Sequence, residues 1–269
     1  MSTKPKTGTP DAGERIAKRL ARAGLCSRRE AERWIADGRV AVDGAVLTTP
    51  AVVVGGSARI TVDGRPLGPV EPARLWRFHK PRGVICTRRD PEGRPTVFDR
   101  LPAPLAGVKL VGRLDLDSEG LLLLTNDGAL ARRLELPASG WLRRYRVRAY
   151  GEVAPERLAA LAAGVTVEGV RYGPIEARLE TRKGRNAWYA VSFREGRNRE
   201  LRRVFDHLGL SVGRLIRVGF GPFELGRLEP GAVSELPART FAELIDAPPP
   251  SSPSSSPPAR GRKHARSRR

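Results

Sequence analysis

The chain has 269 residues, with 49 Lys or Arg against 29 Asp or Glu and a formal charge of +20. This length suits one or two domains with buried cores, and Cys26 and Cys86 belong to no paired motif, so neither disulfides nor a zinc site is expected. The cysteine usage indicates the cytoplasm. No apolar run reaches the roughly 18 residues of a membrane span, and the N-terminus lacks a signal peptide's apolar core, so we expect no export and no membrane contacts. A monomer is also expected.

The charge excess consists mostly of arginine, which favours a polyanionic partner. Guanidinium groups bind phosphates bidentately and stack on bases, so this composition is typical of nucleic-acid-binding proteins. A genome rich in G and C also raises the use of Arg, with no such partner. Net charge alone therefore leaves both explanations open.

Both ends of the chain are expected to be disordered, over residues 1–10 and 248–269. The C-terminal segment is a Pro/Ser spacer followed by a basic tip. Six cations lie in that tip: Arg260, Arg262, Lys263, Arg266, Arg268 and Arg269. The tail is either merely solvated or adds RNA affinity independent of sequence.

The first ordered block is expected over residues 11–72 and begins with two helices. Ile16, Leu20 and Ala23 share one helical face, opposite a cationic face that includes Lys18. In the second helix, Ser27 and Glu30 form a capping box, and three residues face inward before the helix ends at Gly38. These inward residues are Ala31, Trp34 and Ile35. Two short strands follow, at residues 39–42 and 58–62, each ending in an Asp-Gly turn.

Residues 14–43, with AGLCSRREAERWI at their centre and GRVAVDG at their end, resemble an S4 RNA-binding domain. The resemblance implies that the two helices present basic residues to structured RNA. Those residues are Arg15, Arg19, Arg22, Arg28, Arg29 and Arg33. The alternative is that they form a solvated helix surface. The resemblance indicates RNA binding, and it does not by itself indicate an enzyme.

The second block, residues 73–247, mixes strands and helices without a repeated βαβ spacing. Strands are predicted by alternation and by β-branched or aromatic content at residues 75–78, 145–150, 187–193 and 214–218, and helices at residues 155–163 and 199–208. The pattern predicts an α+β fold with a largely antiparallel mixed sheet.

Residues 111–128, VGRLDLDSEGLLLLTNDG, place acids in a turn directly before an apolar run. A calcium loop needs Glu at its twelfth position, where this sequence has Asn126, and we reject that interpretation. Two interpretations of Asp115 remain from the residues alone. It either accepts hydrogen bonds from local backbone N–H groups or acts as a lone catalytic carboxylate.

The motif GRLD at residues 112–115, followed by SEGLLLLTNDG, resembles the catalytic motif of the RsuA/RluB family of ribosomal RNA pseudouridine synthases. Further stretches match the family in order: KPRGVICTRRDPEGRPTVFDRLP (80–102), RYRV (144–147), REGRNRELRR (194–203) and RLIRV (214–218). The resemblance covers about residues 14–236. Within the family, it is strongest to the large-subunit enzyme RluB.

The resemblance implies a role for each matched residue. Asp115 is the catalytic aspartate, Tyr145 the tyrosine that stacks on the base, and Arg202 the basic residue that pairs with the aspartate. Arg113 is assigned to substrate binding. Three further arginines are interpreted as phosphate contacts: Arg197, Arg199 and Arg203. Without the resemblance, Tyr145 is an ordinary half-buried strand residue and Arg202 a solvated or phosphate-binding one.

The implied chemistry accounts for these residue types. The reaction breaks the N1 to C1′ bond, turns the uracil and joins C5 to C1′, so no cofactor or metal is expected. The carboxylate acts as a nucleophile or takes a proton, and the sequence leaves both roles open. Arg202 would keep Asp115 ionised, and Tyr145 would support a base removed from its stack.

Two functions are compatible with these motifs. One is an enzyme that modifies ribosomal RNA, with 23S favoured over 16S by family analogy, acting on the RNA or on a ribosome assembly intermediate. The other is a non-catalytic S4-domain protein in ribosome assembly or translation. The function of Asp115 separates the two.

Overall fold

The computed structural model describes residues 13–246, so the predicted disordered ends lie outside the described residues. Apolar side chains form three clusters. One lies within residues 16–67, and the other two lie between residues 73 and 244. Over the described range, every helix is too short or too polar to cross a bilayer.

The N-terminal unit packs two helices, α1 (Ile16–Arg22) and α2 (Arg28–Ala36), against short strands. The strands are β1 (Glu14–Arg15), β2 (Val40–Val42), β3 (Ala45–Val46), β4 (Val53–Val54), β5 (Ile60–Val62) and β6 (Arg65–Pro66). Four of them form an antiparallel sheet in the order β3-β2-β5-β6, and β1 pairs with β4. Asp43 and Asp63 adopt positive φ in the two tight turns, as their Asp-Gly sequences predict.

The predicted cap of α2 is confirmed, since Ser27 Oγ accepts a hydrogen bond from the Glu30 N–H at 3.2 Å. One predicted inward position differs in detail, since helix α1 ends at Arg22 and Ala23 is its half-buried C-terminal cap. Trp34 is half-buried and packs against the N-terminal apolar cluster, and the Arg39 guanidinium lies 4.8 Å from its ring centre.

The second unit is built on eleven further strands with four helices. The strands are β7 (Leu75–Lys80), β8 (Lys109–Val111), β9 (Glu119–Thr125), β10 (Arg143–Tyr150), β11 (Val165–Val167), β12 (Val170–Tyr172), β13 (Ile175–Lys183), β14 (Asn186–Phe193), β15 (Ser211–Phe220), β16 (Phe223–Glu224) and β17 (Val233–Leu236). The helices are α3 (Gly128–Glu135), α4 (Pro155–Ala160), α5 (Glu200–His207) and α6 (Ala242–Asp246). Single 3-10 turns lie at Phe98–Arg100, Ala103–Leu105, Pro137–Ser139, Leu161–Ala163 and Ala238–Thr240.

Nine of these strands form one sheet, in the order β13-β14-β10-β15-β9-β7-β17, with β8 added to β9 and β16 to β15. Strands β9 and β15 are parallel, and the other pairs of this sheet are antiparallel. The largely antiparallel α+β fold predicted from the sequence is confirmed.

The parallel pairing of β9 with β15 explains why the SEGLLLL motif has a glycine, Gly120. Gly120 has a φ of +105° and pairs with Arg217. A Cβ atom at this position would overlap the backbone carbonyl oxygen of Arg217. Only glycine combines this φ with so close an approach of two backbones. The motif therefore places strand β15 directly beside the loop that precedes β9.

Alternation along β10 separates the two faces of the sheet. Tyr145, Val147 and Ala149 are buried on one face, whereas Arg146 and Arg148 are exposed on the other. The buried face packs against α5 through Val204 and its neighbours in the largest apolar cluster. The candidate site lies on this side of the sheet.

Candidate active site

Asp115 lies in the seven-residue loop between β8 and β9. The loop backbone is fixed by its own turn and by a neighbouring segment. The Ser118 N–H donates to the Asp115 carbonyl oxygen at 3.1 Å, and the Gly83 N–H donates to the Leu116 carbonyl oxygen at 2.8 Å. The Leu114 N–H donates to Cys86 Sγ at 3.4 Å. The backbone on both sides of Asp115 is thus held in one conformation.

Lys80 at the end of β7 is the principal anchor of this loop. Its side chain is completely buried, and Nζ donates to the carbonyl oxygens of Pro81, Asp115 and Ser118 at 3.1, 3.0 and 2.8 Å. Burial lowers the pKa of Lys80, and the nearby Cys86 and Asp115 oppose that shift. The cation therefore gives a hydrogen bond to each of three carbonyl groups, and the Asp115 carbonyl oxygen accepts a second one from the Ser118 N–H.

The Asp115 side chain is not used by the turn. It is half-buried and lines a cleft of about 990 Å³. Throughout residues 13–246, its carboxylate oxygens have neither a hydrogen-bond donor nor an ion-pair partner, whereas its carbonyl oxygen has two donors. A turn acceptor would bond local N–H groups through the carboxylate. The geometry instead leaves the carboxylate facing the cleft.

The expected ion pair between Arg202 and Asp115 is not formed. Arg202 Nη2 lies 3.2 Å from Asp117 Oδ2 and 3.0 Å from the Asp117 carbonyl oxygen, and Nη1 donates to the Val212 carbonyl oxygen at 3.1 Å. Arg199 Nη1 lies 3.3 Å from the other Asp117 oxygen. Because Asp117 follows Asp115 by two residues at the end of the turn, its carboxylate is the one that reaches α5. Arg202 thus acts on the loop, and it is not among the residues that line the cleft.

Tyr145 forms part of the cleft wall. It is buried in β10 and stacks on Phe193 of β14, with ring centres 5.5 Å apart and an angle of 21° between the ring planes. Both rings line the cleft together with Asp115. The structure therefore brings Tyr145 and Asp115 to one site, as the motif order predicts.

The sequence analysis missed several charged residues of this cleft, among them Arg143, Arg217 and Glu200. Arg217 is buried at an inward position of β15 and donates from Nε to the Leu121 carbonyl oxygen at 2.7 Å. Arg143, on the same face of β10 as Tyr145, donates to the Trp141 carbonyl oxygen at 3.0 Å, and burial lowers its pKa. An arginine at a strand position where alternation calls for an apolar residue is the signal that could have identified both.

Glu200 is another missed residue of the cleft and begins α5. Its carboxylate is buried; Oε2 accepts from the Arg197 N–H at 2.9 Å, and Oε1 has no partner within the described part of the chain. Burial raises the pKa of Glu200 to about 7, and Glu195 raises it further, against the effects of the Arg197 N–H and Arg143. The site thus contains a carboxyl group that titrates near neutral pH.

The other predicted contacts are distributed unevenly. Arg113, Arg197 and Arg199 line the cleft, and Arg197 also pairs with Glu195 at 3.3 Å. Arg203 is exposed on α5 and is not part of the cleft lining. Three of the predicted arginines therefore line the cleft together with the half-buried Arg143 and the buried Arg217.

The basic residues of the N-terminal unit fall into two groups. Arg15, Arg28, Arg29 and Arg33 are exposed. Arg19 and Arg22 are half-buried and pair with Glu14 at 3.4 and 2.8 Å, so part of their charge is neutralised. In residues 13–246, no three His, Cys, Asp or Glu side chains are grouped as metal ligands.

Comparison with known proteins identifies both units. The family model described as RNA pseudouridylate synthase matches residues 74–207, and the S4 domain model matches residues 14–60. An uncharacterized RNA pseudouridine synthase of Rickettsia typhi is 43% identical over 231 residues, which are 86% of this chain and 95% of the relative. The chain belongs to the RNA pseudouridylate synthase family. This pseudouridine synthase is therefore an isomerase with an N-terminal S4 domain.

Other relatives of the synthase carry a more specific name. The ribosomal large subunit pseudouridine synthase B of Yersinia pestis is 45% identical over 248 residues, covering 87% of this chain and 77% of the relative. A crystal structure of a pseudouridylate synthase superposes with a TM-score of 0.59 at 29% identity, covering 86% of this chain and 99% of the other. The cleft that contains Asp115 and Tyr145 lies within the fold of this family.

Proposed function

We propose that this synthase converts a uridine of ribosomal RNA into pseudouridine and that Asp115 is its catalytic carboxylate. The single observation that carries the proposal is the orientation of Asp115. Its carbonyl oxygen is bound by Lys80 and Ser118, while its carboxylate lines the cleft without a protein partner in the described chain. A carboxylate held in this way is available to a substrate.

The reaction conserves the atoms of the nucleoside. The bond between N1 and C1′ breaks, the uracil turns, and a bond forms between C5 and C1′. C5 then releases its proton, and N1 gains one, so the product is an isomer. Asp115 either attacks the substrate as a nucleophile or removes a proton from it, and its carboxylate must be ionised in both cases.

The target uridine must leave its stack before Asp115 can reach C1′, because both reacting carbons are enclosed in a paired helix. Tyr145, supported by Phe193, offers an aromatic surface to the displaced base. Arg143 and Arg217 place two cations in the same cleft, where they suit an anionic backbone or a uracil carrying negative charge. Arg202 and Asp117 serve as positioning residues that hold the loop against α5.

The large-subunit ribosomal RNA is the proposed substrate. Relatives that share about 44% of their residues with this chain are named ribosomal large subunit pseudouridine synthase B in Yersinia pestis and Pasteurella multocida. The S4 domain adds an RNA-binding surface in which Arg28, Arg29 and Arg33 are exposed. This surface would hold structured RNA while the cleft acts on one nucleotide.

Mapping pseudouridines in the ribosomal RNA of cells that lack this protein tests the proposal. We expect one site in 23S rRNA to be lost and then restored by the wild-type gene, but not by Asp115→Asn. Asp206→Asn, an exposed aspartate of α5, is the matched control and should restore the site. Unchanged pseudouridines in both subunits, or restoration by Asp115→Asn, would overturn the proposal.

A further inference from the structure

One end of the large sheet carries a second concentration of positive charge, away from the cleft. It lies where β13, β14 and β10 reach the end farthest from Tyr145. Four cations define this distal basic surface: Arg148, Arg182, Lys183 and Arg185. All four are exposed, and none pairs with a carboxylate inside the described range. The surface is separate from the S4 domain and from the cleft lining.

The β13–β14 hairpin brings these cations together. Lys183 pairs with Asn186, so residues 184–185 form the turn, and Gly184 supplies its positive φ of 59°. Arg182 and Lys183 precede the turn and Arg185 lies within it. Arg148 joins them from β10, because its strand neighbour is Trp188. The hairpin tip is thus a basic projection at the edge of the sheet.

A groove of about 400 Å³ lies at the base of this projection. It is lined by Arg148, Thr181, Arg182, Lys183, Asn186 and Trp188. Arginines also cover the aromatic rings of the surface. The Arg146 guanidinium lies 4.8 Å from the Trp188 ring centre, and that of Arg185 lies 4.9 Å from the ring centre of Tyr150. Cations, aromatic rings and amide groups in one groove are typical of surfaces that track a nucleic-acid backbone.

We propose that the distal basic surface binds the sugar-phosphate backbone of the ribosomal RNA at a place remote from the modified uridine. The charge is complementary to phosphate, and guanidinium groups that pair with no carboxylate in the described range suit its bidentate recognition. Strand β13 is the edge of the sheet, so an RNA segment can pass around it from the cleft side. The inference rests on the proposed function in taking ribosomal RNA as the ligand.

The position of the surface sets the kind of RNA that can reach it. Five residues separate Tyr145 from Tyr150, which is about 16 Å along an extended strand. Arg148 also lies on the opposite face of β10 from Tyr145, whereas Arg182 pairs with Ala187 and lies on the same side as Ala149. An RNA segment bound in the cleft must therefore continue past the end of the hairpin to reach Arg148. The surface therefore contributes to binding of a long, folded RNA that wraps the edge of the catalytic domain.

Salt-dependent binding tests the proposal, with in vitro transcribed full-length 23S rRNA as the probe. The variant Arg148→Gln/Arg182→Gln/Lys183→Gln removes three charges from exposed positions. We expect the slope of log affinity against log salt to become shallower by about two to three, and affinity at 100 mM salt to fall about tenfold. The matched control, Arg100→Gln/Arg227→Gln/Arg239→Gln, also removes three exposed charges and should leave the slope closer to that of the wild type.

A photocrosslinker identifies the occupant directly. Benzoylphenylalanine at position 182 should crosslink to labelled 23S rRNA, whereas the same group at the exposed position 229 should not. Equal salt slopes in the two triple variants would overturn the proposal, as would crosslinks from position 182 only to proteins of ribosomal particles. The wild-type protein is also assayed for pseudouridine formation on the same RNA. If it isomerises the RNA, the proposed function stands and only the distal basic surface is in question; if it does not, the proposed function fails.

Discussion

The ammonium nitrogen of Lys80 lies 3.0 Å from the carbonyl oxygen of Asp115 and 2.8 Å from that of Ser118. The lysine thus bonds to the backbone of the loop that carries Asp115 and leaves the Asp115 carboxylate unpaired. Its charge is completely buried and is stabilised by carbonyl dipoles. Lys80 therefore fixes the backbone beneath the carboxylate without touching the carboxylate itself.

Lys80→Met should destabilise the protein by about 3 kcal/mol, because three carbonyl groups each lose a hydrogen bond from the ammonium while the side-chain volume is kept. Urea unfolding monitored by circular dichroism measures the loss. Lys109→Met is the matched control: Lys109 is half-buried and donates to the Asn126 carbonyl oxygen at 3.0 Å, so its loss should cost about 1 kcal/mol. Equal losses in the two variants would contradict the anchoring role of Lys80.

Arg202 and Asp117 should be energetically coupled, whereas Arg202 and Asp115 should not. A double-mutant cycle with Arg202→Gln and Asp117→Asn should give about 1 to 3 kcal/mol of coupling in unfolding free energy, since the two groups are in contact. The same cycle with Asp115→Asn should give less than about 0.5 kcal/mol. A larger coupling of Arg202 with Asp115 than with Asp117 would contradict this prediction and support the pairing expected from the sequence.

That difference shows where sequence reasoning reaches its limit. Helix α2 could be placed from Ser27 and its apolar spacing, because a cap and a period are local properties. The partner of Arg202 could not be predicted, since Asp115 and Asp117 are only two residues apart and the conformation of the turn decides which carboxylate reaches Arg202. The order of motifs along the chain predicted that Asp115 and Tyr145 share one cleft. It did not predict the parallel pairing at Gly120, because the partner strand β15 begins 91 residues farther along the chain.

Glu200 should make stability depend on pH. Its folded pKa of about 7 exceeds its ordinary value of 4.5, so the folded state keeps a proton that the unfolded state releases between these values. The contribution of the protonated group to stability is present below pH 4.5 and is lost as the pH rises towards 7. Glu200→Gln should therefore be more stable than wild type at pH 8 by up to about 3 kcal/mol, with little difference at pH 4.5.

Thermal unfolding of wild type and Glu200→Gln at several pH values checks this prediction. Glu156→Gln, an exposed glutamate of α4, is the control, and its stability relative to wild type should change much less with pH. A stability difference that stays constant from pH 4.5 to pH 8 would show that Glu200 does not titrate in this window.

The S4 domain should bind RNA mainly through its exposed arginines. Arg28→Gln/Arg29→Gln/Arg33→Gln should weaken binding of 23S rRNA and flatten the salt slope by about two to three, since up to three phosphate contacts are lost. Filter binding between 50 and 200 mM KCl measures the slope. Arg19→Gln/Arg22→Gln should change it less, because Glu14 already pairs with both residues. An unchanged salt slope in the triple variant would show that these three arginines are only solvated and do not contact RNA phosphates.

The central claim is that the Asp115 carboxylate performs the isomerisation. Tritium release from ribosomal RNA labelled at C5 of uridine tests it most directly, since C5 loses its proton during the reaction. Wild type should release tritium, and Asp115→Asn should release none above background while binding the RNA within about twofold of the wild-type affinity, because Asn keeps the size of the side chain. Tritium release by Asp115→Asn at a rate near that of wild type would contradict the account.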